Sequence, residues 1–240
     1  FLRQRAEGNP RHASYRWFMV YFESMRRGLI DYSKRGTMSA PQSRTHRVLT
    51  KEEQERLSPD EVLALLREGN ARFVSGDVTH RDHRAQVRQA ALGQWPKAVV
   101  LSCLDSRIPV EDVFDCGIGD LFVARVAGNI VNTDILGSME FACAASGAKL
   151  VFLLGHEHCG AVKGAIDGVK LGNLTALLDV IAPAADEVPG FDGARTSKNE
   201  AFVHRVAEQN VRRMLARIRQ DSPTLREALE LHREKPLCAG

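Results

Sequence analysis

Apolar residues fall into two patterns along the chain. Three short runs are unbroken: residues 97–103 (KAVVLSC), 121–127 (LFVARVA) and 149–155 (KLVFLLG). Each has the length of a strand and no polar alternation, which predicts strands buried on both faces of a parallel sheet. Elsewhere the spacing is helical. Val62, Leu65, Leu66 and Phe73 follow Ser58-Pro59-Asp60-Glu61. There Ser58 suits an N-cap, Pro59 the first turn and Glu61 the capping-box position, and Gly76 ends the run. Residues 77–96 are polar, with Gly93 and Pro96, and read as loop plus a short helix. Residues 134–147 carry Ala, Met, Phe and Cys at helical spacing and close on Gly147. A helix is predicted over 173–182, with Leu174, Leu177, Leu178 and Ile181 on one face. Ser197-Lys198-Asn199-Glu200 reads as a second capping box, opening a long amphipathic helix through Phe202, Val206, Met214, Leu215 and Ile218. Ser222-Pro223 starts a last short helix, and residues 236–240 read as the beginning of a further strand.

Strands alternating with helices predict an α/β fold, a mostly parallel central sheet flanked by helices through right-handed crossovers. The 240 residues are 44% hydrophobic and 26% charged, enough for one core of substantial size. No run approaches the roughly 18 apolar residues of a membrane span. Five cysteines are an odd number, which argues against a disulfide framework and for a reducing compartment.

Charge separates the first residues from the rest. Residues 1–37 hold eight basic groups against Glu7, Glu23 and Asp31, so their +5 leaves −2 of the total +3 for the remainder. The basic character belongs to this leader, and the body has no nucleic-acid signature. The apolar stretch 17–22 is short for a secretory signal and is followed at once by Glu23, Arg26 and Arg27. A transit peptide and an interfacial helix on acidic lipid are alternatives. The preferred reading is a basic, poorly ordered extension over 1–37, with a single catalytic α/β domain over 38–240 and a cytoplasmic location.

Two segments stand out chemically. Cys103-Leu104-Asp105-Ser106-Arg107 follows the first predicted strand and His156-Glu157-His158-Cys159-Gly160 the third. Both leave carboxyl ends of buried strands, where open α/β sheets place their ligand crevices. If those strands are neighbours, Cys103, His156 and Cys159 converge, and two thiolates with one imidazole form a zinc shell with a fourth position open. By spacing alone, two buried cysteines and a core histidine remain the rival reading. A closed structural zinc site would need His158 or Asp105 as a fourth ligand, and His158 adjoins Cys159, a poor geometry for one ion.

C-x-D-S-R followed some fifty residues later by G-H-x-x-C-G resembles the β-class carbonic anhydrases. The resemblance extends to residues 119–129 (GDLFVARVAGN), 137–142 (GSMEFA) and 155–162, and covers roughly residues 58–235. It implies one Zn2+ per chain on Cys103, His156 and Cys159. The implied reaction is reversible hydration of carbon dioxide to bicarbonate and a proton. It runs through zinc-bound hydroxide oriented by Asp105, which Arg107 keeps ionised and turned away from the metal. Two thiolates cancel the ion's formal charge, so activity is expected to favour mildly alkaline pH. In some family members the aspartate swings onto zinc, so Asp105 is also the fourth ligand of a blocked state. Val126, Ala127 and Gly160 are candidate substrate-binding residues. The family builds homodimers or tetramers in which an N-terminal helix wraps the partner, and the helix after Ser58 suits that part. No nucleic-acid or membrane partner is expected.

The chain departs from the family in two places. Some members have an inhibitory bicarbonate pocket with a tryptophan three residues before the first cysteine. Val100 stands there, so no such pocket is expected, although Arg125 lies where the family often keeps an arginine. The family usually continues with further strands, whereas this sequence stops at Leu237-Cys238-Ala239-Gly240, so a truncated C-terminal sheet edge is expected. His80 and His83 read as surface residues, Gly117-Ile118-Gly119 as a turn, and Cys116 and Cys143 as small core residues. His12, His46, His204 and His232 show no partner in sequence. Two rival functions are hydrolysis of carbon disulfide or carbonyl sulfide at the same site, and a non-catalytic zinc or thiol sensor. Asp105 and Arg107 argue against the sensor, which needs neither.

Overall fold

The computed structural model describes residues 16–20 and 47–230. Its sheet has four parallel strands, β1 (Arg16–Val20), β2 (Ala98–Ser102), β3 (Leu121–Arg125) and β4 (Leu150–Leu154), in the order β1-β4-β2-β3. The three apolar runs are therefore strands, and β2 and β4 are fully buried along their length. β1 falls inside the stretch 1–37, for which the sequence predicts a poorly ordered extension. The backbone of these five residues pairs with β4 from Arg16↔Leu150 to Val20↔Leu154, along a strand edge that offers a row of donors and acceptors. The strand expected over 236–240 lies outside the described residues.

Nine helices are described around the sheet. They are α1 (Lys51–Arg56), α2 (Pro59–Ser75), α3 (His83–Ala90), α4 (Val110–Val113), α5 (Thr133–Glu140), α6 (Gly160–Ile166), α7 (Gly172–Asp186), α8 (Glu200–Asp221) and α9 (Pro223–Glu230). Ser58 and Glu61 form the expected capping box of α2, and Gly76 closes it in the left-handed conformation. α5 continues as a π-helical segment over Phe141–Ala145 before Gly147. Three boundaries differ from expectation. α1 carries a capping box of its own at Thr50 and Glu53. α7 runs past Pro183 to Asp186, beyond the predicted stop. α8 is capped by Asn199, while Ser197 Oγ donates to Asp167 Oδ2 at 2.7 Å. Among the described residues no helix is long and apolar enough to cross a membrane.

Side-chain alternation divides the core. Val99, Leu101, Val151 and Leu153 face a layer that includes Val162, Ile181, Phe202, Val206 and Met214. Ala98, Val100, Leu150, Phe152 and Leu154 face Val62, Leu66, Val110 and Phe114 on the other side. The register is tied at the amino ends of the strands. Lys97 N donates to Asp120 O at 2.9 Å, Lys149 N to Lys97 O at 2.9 Å, and Lys97 Nζ lies 3.1 Å from Asp120 Oδ1 with both side chains buried.

A second polar tie fastens α2 beneath the sheet. The Asp115 carboxylate is wholly buried and accepts from Arg72 Nε (2.5 Å), Arg81 Nη1 (2.6 Å), Thr79 N (3.0 Å) and Thr79 Oγ1 (2.8 Å). Burial alone would raise its pKa, but the hydrogen bonds from Arg72, Arg81 and Thr79 outweigh that and hold the carboxyl well below its usual range. Asp115→Asn should cost roughly 3 kcal/mol, because it strands two guanidinium groups. The folded-state value is depressed. The contribution is therefore complete above the unfolded value of about pH 4 and drains as pH falls toward the folded value. Urea titrations of both proteins across acidic pH should show the difference shrinking as pH drops. A second prediction concerns the packing of α2. A Cβ on Gly69 would sit 1.9 Å from the Phe114 carbonyl oxygen. Helix propensity alone would make Gly69→Ala stabilising by about 1 kcal/mol. The clash should reverse the sign and cost on the order of 2 kcal/mol in the same denaturation assay.

Candidate metal centre

β2 and β4 are hydrogen-bonded neighbours with Ser102 opposite Leu154. The chain therefore leaves both strands at the same height. β3 flanks β2 on its other side, so β2/β4 is the point at which strand order reverses, and the loops after β2 and β4 open a crevice there. Cys103 is the first residue beyond β2, and His156 and Cys159 lie on the turn after β4. One ligand atom from each of Cys103, His156 and Cys159 lies within 4.8 Å of the others, and all three residues are buried. The two sulfurs are 4.0 Å apart.

The chemistry of this pocket fits a soft divalent cation. His156 Nε2 is buried without a hydrogen-bond partner, an orphan that a metal would satisfy. Cys103 Sγ accepts from Gly128 N at 3.3 Å. The hydrogen bond to Cys159 pulls the Cys103 thiol well below its ordinary pKa against the opposing effect of burial, with His156 and the backbone of Asp105 and Gly128 helping. Cys159 is driven the other way by the same hydrogen bond, by burial and by the charge on Cys103. The two thiols are thus pushed in opposite directions, and a cation between them would relieve that conflict. Two sulfurs and one imidazole are a zinc donor set with fewer than four protein ligands.

Asp105 stands beside the cluster without joining it. Its Oδ1 accepts from Arg107 N (3.0 Å) and Nε (2.9 Å), and its Oδ2 from Arg107 Nη2 (2.7 Å). Those Arg107 bonds hold the carboxyl far below its usual range. Arg107 Nη2 also donates to His158 O at 3.2 Å, joining the loop after β2 to the loop after β4. His158 lies outside the ligand cluster. It adopts φ 55° and points its Nδ1 at Glu200 Oε2, 2.8 Å away, while Lys163 Nζ holds Glu200 Oε1 at 2.5 Å.

Val126 and Ala127 lead from β3 into the short 3-10 turn that presents Gly128. Gly160 begins α6, and a Cβ placed there meets nothing within 4 Å, so packing does not demand a glycine. Gly128 is different. Its φ is 66° and a Cβ would lie 2.3 Å from Ile181 Cδ1. Asn210 Nδ2 holds its carbonyl at 2.8 Å. Sequence reasoning missed the parts played by Gly128, Asn210 and Glu200. Only the glycine left a signal, a small residue shortly after an apolar strand. His204, for which the sequence offers no partner, has Nδ1 3.1 Å from Glu157 Oε1.

A Cys2His donor set at the switch point of a parallel sheet defines the class, an α/β protein with a candidate metal centre that leaves room for water or substrate. Comparison with known proteins agrees. The family model described as "Carbonic anhydrase" matches residues 98–235. The chain is 38% identical over 158 residues to Carbonic anhydrase 2 of Mycobacterium tuberculosis, covering 63% of this chain and 75% of that protein. A tetrameric β-carbonic anhydrase of Sordaria macrospora superposes with a TM-score of 0.53 at 29% identity, over 71% of this chain and 86% of that one. A β-carbonic anhydrase of Aspergillus fumigatus gives 0.54 at 27% identity, over 72% and 80%. The chain belongs to the β-class carbonic anhydrase family and is an enzyme of carbonate dehydratase type, interconverting carbon dioxide and bicarbonate.

The thiols offer a direct check on this environment. Burial pushes Cys116 and Cys143 up to about 12, so neither carries appreciable thiolate at neutral pH. Alkylation of metal-stripped protein, mapped by mass spectrometry, should mark Cys103 ahead of both. Because the folded Cys103 value is lowered, its labelling should persist as pH falls below the ordinary thiol range.

Proposed function

We propose that Cys103, His156 and Cys159 hold one zinc ion and that Asp105 and Arg107 are the catalytic pair for reversible hydration of carbon dioxide. The observation that carries this reading is the three-ligand cluster lying beside a carboxylate already fixed by a guanidinium. Zinc bound to these ligands would acidify water and so supply a nucleophile near neutral pH.

The chain's own residues would do the rest. Asp105 is ionised and therefore acceptor-only, so it can take a hydrogen bond from the attacking oxygen and aim a lone pair at the carbon. Arg107 occupies both carboxylate oxygens from one side, which leaves the remaining lone pairs free for that task. Its bond to His158 O keeps the two loops at a fixed separation. Val126 and Ala127, half-buried beside Gly128, would give carbon dioxide an apolar wall, with Gly160 at the margin. Water and carbon dioxide yield bicarbonate and a proton, and the proton leaves to buffer.

A homo-oligomer, dimer or tetramer, accords with the exposed edge strand β3, the exposed Phe141 beside Phe122 and the tetramer of the Sordaria relative.

Stopped-flow hydration of carbon dioxide by zinc-loaded protein tests the proposal. Asp105→Asn keeps the shape and removes the charge, and should lower kcat/KM on the order of 100-fold with zinc content unchanged. Chelation should abolish activity, and zinc should restore it. Activity that survives both chelation and Asp105→Asn would overturn the mechanism.

A further inference from the structure

The loop that carries both Cys103 and Asp105 is buried at its ends, at Cys103 and Ile108, but not at its apex. Leu104 at its apex is 60% exposed, so no apolar packing pins it. Its internal bonds, Arg107 N to Asp105 Oδ1 and Ile108 N to Asp105 O at 3.3 Å, fix the turn relative to itself. They do not fix it to the sheet. Gly128 N reaches Cys103 Sγ and Arg107 Nη2 reaches His158 O, but neither ties the loop's backbone to β3.

Arg125 supplies that backbone tie. It ends β3 and lies opposite Ser102, the residue before Cys103. Val126 N donates to Ser102 O at 3.1 Å, which continues the ladder to the point where the loop leaves. From there Arg125 Nε donates to Cys103 O at 3.0 Å, and Nη2 donates to Asp105 O. The two carbonyls flank Leu104, and one rigid planar group spans them. A guanidinium keeps its donors in fixed relative directions, so it constrains both carbonyls together. Cys103 O and Sγ hang from the same residue, so fixing the carbonyl restricts where the sulfur can point.

We infer that Arg125 is a positioning residue for the metal centre, bracing the Cys103–Asp105 loop against the edge strand so that the sulfur ligand and the carboxylate keep a common placement. It touches neither the ligand atoms nor the Asp105 carboxylate in the bonds described, and acts through backbone carbonyls. The inference rests on the zinc reading above. Outer groups that orient ligands in this way tune how firmly a metal is held.

The test measures zinc release from the full chain into excess chromogenic chelator, for wild type, Arg125→Ala and Arg125→Lys, alongside thermal unfolding. Arg125→Ala should release zinc about 10-fold faster. Arg125→Lys, which keeps the charge and can reach one carbonyl, should release it at an intermediate rate. A role confined to fold stability would lower the unfolding midpoint without ordering the release rates in this way. Release from Arg125→Ala at the wild-type rate overturns the inference while leaving zinc binding intact. Wild-type protein that takes up no zinc overturns the underlying reading and the inference with it. Should Arg125→Ala fail to fold, Arg125→Lys decides alone, faster release than wild type supporting the brace and an equal rate sinking it.

Discussion

The site depends on β2 and β4 being adjacent and in register. Parallel neighbours lie about 4.8 Å apart, so residues leaving them at the same height are within reach of one ion. Ser102 opposite Leu154 sets that height. A slip of one residue would send Cys103 to the opposite face of the sheet. Two features oppose such a slip. The alternation of Val99 and Leu101 with Ala98 and Val100 places each set in a different packed layer. At the far end, the buried Lys97–Asp120 pair and the Lys149-to-Lys97 backbone bond fix the start of the strands. The catalytic end is thus positioned by polar contacts a full strand length away, where they do not interfere with chemistry.

The second constraint is electrostatic. Cys103 and Cys159 are 3% and 1% exposed, so water contributes little to stabilising charge on either sulfur. Burying one anion is costly and burying two side by side is more so. The two thiols are accordingly pushed in opposite directions, the Cys103 value down and the Cys159 value up. A divalent cation removes the conflict, and its binding then contributes to the stability of the loops that form its ligands. Gly128 shows how tightly the wall is drawn. Its N–H reaches Cys103 while Ile181 occupies the space where a side chain would be.

Legibility in sequence followed the range of the interactions involved. β2 and β4 were readable because a strand covered on both faces must be apolar throughout, β3 because its run is apolar although it lies half-buried at the edge of the sheet, and Ser58-Pro59-Asp60-Glu61 because a capping box is complete within four residues. The box at Thr50 and Glu53 obeys the same rule and was overlooked beside the polar stretch that surrounds it. At α8 the local signal was ambiguous, since Ser197 and Asn199 can both cap; Asp167, 30 residues earlier, takes the serine and leaves the cap to asparagine. The helix predicted over 173–182 continues through Pro183 to Asp186. The cluster of Cys103, His156 and Cys159 was legible because its residues are rare types at strand ends. Asn210 against the Gly128 carbonyl and Glu200 against His158 were not, since the partners lie 82 and 42 positions apart.

Arg107 links these constraints. His158 sits in the left-handed region between His156 and Cys159, a conformation that costs a non-glycine residue about 1 kcal/mol. Glu200 restrains its ring and Arg107 its carbonyl. The same Nη2 that reaches His158 O also holds Asp105 Oδ2. Asp105 therefore cannot leave Arg107 without disturbing the donor that steadies the turn between the two other ligands. The position of the carboxylate and the shape of the second ligand loop are a single mechanical unit, although the two segments lie some fifty residues apart. A carboxylate that swung toward the Cys103–His156–Cys159 cluster would thus cost more than its own hydrogen bonds, and for the proposed mechanism this favours the arrangement in which Asp105 stays on the guanidinium and keeps its free lone pairs for the incoming oxygen.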